Sequence, residues 1–121
     1  MKCPCNPNKL YKNCCKKAHD NIFSAETSEE LMRSRYSAFV LGNINYLHKS
    51  HHSTTRLSNR EYKELKKWTQ SVDWVKLQIH NSTDNSVEFT AFFIENGNLE
   101  TIKEHSIFCI ENNHWVYLNA V

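Results

Sequence analysis

The sequence predicts an α+β fold: three N-terminal helices against a curved antiparallel sheet of about four strands, preceded by a small metal-bound segment. Three observations carry this. The apolar period is helical between residues 27 and 72 and becomes two from residue 75 onward. Helices followed by a run of strands, rather than alternation, mark α+β instead of α/β. Finally, Cys3, Cys5, Cys14 and Cys15 form a C-x-C-x8-C-C pattern within the first fifteen residues, which is metal-ligand spacing.

The cysteine segment comes first in the chain. Residues 1–15 carry only Leu10 and Tyr11 as sizeable apolar groups, so burial alone cannot fold them. One Zn²⁺ held by Cys3, Cys5, Cys14 and Cys15 would do so, with Zn–S bonds near ~2.3 Å. His19, four residues past Cys15, is an alternative ligand in place of one cysteine. Two disulfides would need an oxidising compartment, and a redox pair would read C-x-x-C, which is absent. Four protein ligands leave no open position, so the zinc is expected to be structural. Lys2, Lys9, Lys12, Lys16 and Lys17 surround the cysteines against Asp20 alone. They offset the thiolate charge. Lys9, Tyr11, Lys12, Lys16 and Lys17 are also a candidate surface for an acidic partner.

Residues 16–26 read as a connector docked by Ile22 and Phe23. Thr27 and Glu30 form a capping box that opens the first main helix, with Met32, Tyr36, Phe39 and Val40 on one face and Gly42 as its stop. A short helix follows from about Asn43 to His48. Ser58 and Glu61 form a second box, opening a helix with Tyr62, Leu65, Trp68 or Thr69, and Val72 inward. Val75, Leu77 and Ile79 then alternate with polar residues, as do Val87, Phe89, Ala91 and Phe93. Asn96-Gly97 marks a hairpin, and Ile102–Ile110 and Trp115–Leu118 complete four strands, joined by a polar turn at Glu111-Asn112-Asn113.

At 121 residues the chain has room for one main domain. Residues 1–20 are expected to form the metal motif and 21–121 the α+β domain. A net charge of +2 is too small to make nucleic acid a partner of the whole chain. No apolar run approaches membrane length. No signal-peptide core is evident, so a reducing cytoplasmic setting is expected.

Two segments carry a family resemblance. The run from Cys3 to Cys15, with Tyr11 and its flanking lysines, resembles the SEC-C zinc motif. It departs at residues 6–8, where Asn6-Pro7-Asn8 stands in place of Gly-Ser-Gly. The asparagines substitute there as residues tolerant of left-handed backbone. Leu31-Met32-Arg33-Ser34-Arg35-Tyr36-Ser37-Ala38-Phe39-Val40 resembles the signature of the YchJ (UPF0225) family, and His105–Phe108 with Asn113–Tyr117 resembles its last strands. The resemblance implies a SEC-C motif joined to an NTF2-like cone, with no assigned activity. It also implies a homodimer through the sheet face as one arrangement, and a pocket between sheet and first helix.

Candidate pocket residues are Arg33, Arg35, Tyr36, His52, Trp74 and His105. For Arg35 the plainer role is a structural ion pair, or hydrogen bonds to backbone carbonyls. For His52 it is a loop or capping histidine. Cys109 reads as a small buried hydrophobe. No phosphate loop, dinucleotide fingerprint or nucleophile elbow occurs, so a binding or accessory role is expected before catalysis. Its interaction module would be the zinc motif, meeting a protein, the ribosome or the secretion machinery. A small-molecule site in the cone is the second expectation, and single-stranded nucleic acid binding through the basic segment is the third.

Overall fold

The computed structural model describes all 121 residues, Met1–Val121. A small hairpin of β1 (Lys2–Cys3) and β2 (Asn6–Leu10) leads through a 3-10 turn at Tyr11–Asn13 into α1 (Cys15–Asp20). The main helices follow as α2 (Ser28–Leu41), α3 (Ile44–Lys49) and α4 (Asn59–Ser71). Then come β3 (Asp73–Ser82), β4 (Ser86–Glu95), β5 (Asn98–Glu111) and β6 (His114–Ala120). The last four form one antiparallel sheet in chain order.

Local signals set most boundaries. The Thr27 side chain caps α2 by accepting from the Glu30 N–H at 3.1 Å. Glu30 does not return to Thr27. Its carboxylate accepts from the Glu26 N–H instead, extending the cap one residue outward. Gly42 ends α2 in left-handed conformation at φ 69°, where a Cβ is penalised. The Ser58–Glu61 box at α4 is complete in both directions. Both connections across β5 are two-residue turns with positive φ at each position: Asn96 at 52° with Gly97 at 79°, and Asn112 at 53° with Asn113 at 66°. Such turns match the twist of the strands they join.

Three expectations need correction. Residues 16–26 are not a plain connector, because Cys15–Asp20 forms a helix. Ile22 and Phe23 do dock the segment: Ile22 is buried, and Phe23, though 58% exposed, meets His114 edge-on with ring centroids 5.5 Å apart. Asn6 and Asn8 lie in β2 with no positive φ, so they do not stand in for left-handed glycines. Val75 is 51% exposed rather than inward. A register shift between Trp74 and Lys76 leaves it without a partner on β4 and gives Trp74 the place opposite Phe93.

Further shifts fall between Ile79 and Asn81 and between Ile107 and Phe108. Bulges of this kind bend a sheet, and the concave face receives the helices. Leu31, Met32, Tyr36, Leu47, Tyr62, Val87, Phe89 and Phe108 form the shared core, and Cys3, Cys5, Cys15 and Ala18 are continuous with it. The chain after α3 is stitched to β6: Tyr117 N–H donates to the Ser50 carbonyl and His52 N–H to the Tyr117 carbonyl, both at 2.8 Å.

Candidate metal centre and internal cavity

The hairpin delivers Cys3 and Cys5, the 3-10 turn delivers Cys14, and the first residue of α1 is Cys15. Their four sulfurs all lie within 4.8 Å of one another. Cys3–Cys5 and Cys5–Cys14 are each 3.6 Å apart. That is far beyond the ~2.05 Å of a disulfide. It matches the ~3.8 Å edge of a tetrahedron whose metal–sulfur bonds are ~2.3 Å. Hydrogen bonding with Cys15 holds the Cys5 thiol down at about 5, against burial and with help from Cys14, Cys3 and Arg33. Burial pushes Cys14 up to about 11. Hydrogen bonding to Cys5 pushes Cys15 up. Four sulfurs this close cannot all ionise alone, and a divalent cation among them removes that conflict. The donor set therefore fits a closed four-thiolate metal site.

The cluster is braced from α2. Ser37 Oγ lies 3.6 Å from Cys3 Sγ. Arg33 Nη1 donates to the Cys5 carbonyl at 3.2 Å, while its Nε donates to Glu29 at 3.0 Å. His19 is not a ligand. Its Nε2 donates to the Ser34 carbonyl at 2.7 Å, and its Nδ1 accepts from the Tyr11 hydroxyl at 2.6 Å. Both ring nitrogens are thus occupied, and Tyr11 is turned inward instead of lying on the partner surface. Lys9, Lys12, Lys16 and Lys17 are exposed, with Lys16 paired to Asp20. In the sequence the only trace of this bracing is a pair of small polar residues, Ser34 and Ser37, on the helix that faces the cysteines.

A cavity of about 260 Å³ lies between α2, α4 and the sheet. Apolar walls come from Met32, Phe39, Leu57, Leu65, Phe89 and Phe108, and polar groups from Arg35, His51, Tyr62, Glu104, Ser106 and Tyr117. Of the six expected pocket residues only Arg35 lines it. Arg33 belongs to the metal centre. Tyr36 is buried edge-on against Trp74 with ring centroids 5.8 Å apart, and Trp74 Nε1 donates to the Thr69 carbonyl. His52 caps its own loop, its Nδ1 accepting from the Thr54 N–H, with Glu111 3.4 Å from Nε2. His105 pairs across the strands with Glu88, on the sheet face opposite the buried Val87 and Phe89. These assignments depended on helix rotation and strand register. Glu104 shares its parity on β5 with Ile102, Ser106 and Phe108, which is the sequence signal for its inward position.

The arrangement defines a class of protein: an N-terminal cysteine motif fused to a helix-and-sheet cone. The YchJ middle NTF2-like domain family matches residues 27–120. A UPF0225 protein of Vibrio parahaemolyticus is 37% identical over 98% of this chain and 73% of its own. One from Shewanella is 34% identical over 95% and 77%. The solution structure of a SEC-C motif containing protein from Rhodopseudomonas palustris superposes with a TM-score of 0.85 at 26% identity, covering 100% and 98% of the two chains. The crystal structure of a SEC-C motif containing protein from Psychrobacter arcticus gives 0.79 at 27% identity, covering 98% and 81%. The chain belongs to the YchJ (UPF0225) family, with a SEC-C motif ahead of an NTF2-like domain. No helix is long and apolar enough to cross a membrane.

Proposed function

We propose that this protein is a zinc-stabilised binding protein of the cytoplasm, whose SEC-C motif docks an acidic segment of a protein partner while the cone serves as a rigid platform. Zinc suits the site because four thiolates in a tetrahedron are its preferred structural donor set. A reducing compartment keeps those thiols available. The observation carrying the partner reading is charge. Lys9, Lys12 and Lys17 are exposed with no carboxylate against them, and Lys16 alone of the segment's lysines is paired. Leu10, 46% exposed, adds an apolar contact beside them. Interfaces of this composition combine steering by charge with a small apolar anchor.

The test compares proteins captured by the zinc-loaded wild type and by a Lys9→Glu/Lys12→Glu/Lys17→Glu variant, with and without nuclease. A partner with an acidic segment, retained by wild type and lost from the variant regardless of nuclease, supports the reading. An identical captured set from both proteins overturns it. Capture abolished by nuclease assigns the surface to nucleic acid and also overturns it.

A further inference from the structure

Arg35 stands apart from every other cation in the molecule. It is only 8% exposed, yet no carboxylate lies within ion-pair distance of it. Nη1 donates to the Leu47 carbonyl at 3.0 Å and to Ser50 Oγ at 2.7 Å, and the guanidinium lies 5.0 Å from the centre of the Tyr117 ring. Those contacts tie α2 to the end of α3. They use one edge of the guanidinium and leave Nε and Nη2 without a protein partner. No fully buried polar side-chain atom in the molecule is left unpaired, so these two donors open onto the space Arg35 lines, the cavity. Tyr117, whose ring lies against the guanidinium, lines the same cavity.

A largely buried guanidinium with no carboxylate in direct contact is only partly compensated, Glu104 acting on it from across the cavity. Its free edge presents parallel N–H donors, the geometry that a carboxylate accepts bidentately. The rest of the cavity is largely apolar. Its volume of about 260 Å³ exceeds the ~150 Å³ in which an apolar protein cavity can hold benzene. Glu104 also faces this space, its Oε2 accepting from Ser106 Oγ at 2.6 Å. A second carboxylate or a phosphate dianion would be repelled there.

We propose that the cone cavity is a binding site for a small organic monocarboxylate with a one-ring or similarly compact apolar body, its carboxylate held on the Nε/Nη2 edge of Arg35. This site is independent of the metal motif and of any protein partner. Nη1 of Arg35 is already anchored by Leu47 and Ser50, so the fork is preorganised and a ligand need order little else.

Benzoate is the probe, titrated into the zinc-loaded full chain while the Arg35 Nε–H resonance is followed by NMR. Saturable movement of that resonance is expected, with benzamide, the neutral isostere, binding at least about tenfold more weakly because it lacks the charge-assisted pair. Arg35→Gln should remove benzoate binding. Leu57→Trp, which fills the cavity from a loop without touching the Arg35 hydrogen bonds, should do the same. It keeps the test informative if Arg35→Gln fails to fold. An unmoved Arg35 resonance at tens of millimolar benzoate overturns the proposal. So does equal binding of benzamide, or undiminished benzoate binding by folded Leu57→Trp.

Discussion

The N-terminal motif and the cone are held together by different physics, although they share a continuous buried surface. In residues 1–20 the buried side chains are Cys3, Cys5, Cys15, Ala18 and His19, too little apolar area to offset the entropy of ordering the segment. Its order rests on four sulfurs converging and on a few directed hydrogen bonds, such as Tyr11 to His19 and His19 to Ser34. In the cone, Leu31, Leu47, Tyr46, Tyr62, Val87 and Phe108 are almost wholly buried, and area burial dominates. The motif therefore depends on one chemical event, whereas the cone spreads its stability over many contacts.

Three experiments separate the two modes of stabilisation. The largest effect is expected from metal removal. A structural zinc supplies about 10–16 kcal/mol of apparent binding energy in small zinc-finger peptides. Chelation should therefore abolish amide protection across residues 1–20 while residues 73–120 keep theirs in hydrogen exchange. Loss of protection throughout the chain would show that the motif holds the cone as well. Next is Leu47→Ala in the shared core, where Leu47 is fully buried. Such truncations cost about 2–5 kcal/mol. Urea unfolding should show this loss in the cone with the metal content of the cysteine site unchanged, and metal loss in parallel would erase the distinction.

The smallest effect is pH dependence from His51. Burial, followed by Arg35 and Arg56, lowers its pKa to about 4 from an ordinary 6.5. The unfolded chain therefore binds the proton more readily. The stabilisation from keeping His51 neutral is complete above about pH 6.5 and is lost as pH falls from there toward 4. Urea midpoints measured at pH 5 and pH 7.5 should differ for wild type, and should differ less for His51→Phe. Equal differences would remove His51 as the source.

The same division explains what could be read in advance. The Ser58–Glu61 box, the Gly42 stop and the Asn96-Gly97 turn are encoded by residues within a few positions of one another and appear in the structure as read, and the four cysteines of the first fifteen residues do converge. The helices-then-strands order and the YchJ resemblance were equally legible. The pocket was not. Tyr36 and Arg35 are adjacent, yet one packs against Trp74 and the other lines the cavity. His105 and Glu104 are also adjacent and fall on opposite sheet faces.

By itself, then, the sequence determined the order of elements, their caps and turns, and the sulfur cluster, because those follow from short-range spacing and backbone preference. Only the tertiary structure decided that His19 serves as a brace and not a ligand, that Tyr11 turns inward, that a bulge expels Val75, and that Arg35 is buried with no carboxylate in direct contact. Those outcomes depend on contacts between separate elements, such as His19 of α1 with Ser34 of α2 and Arg35 of α2 with Tyr117 of β6. Register, helix rotation and bulges settle such pairings only when the sheet closes over the helices.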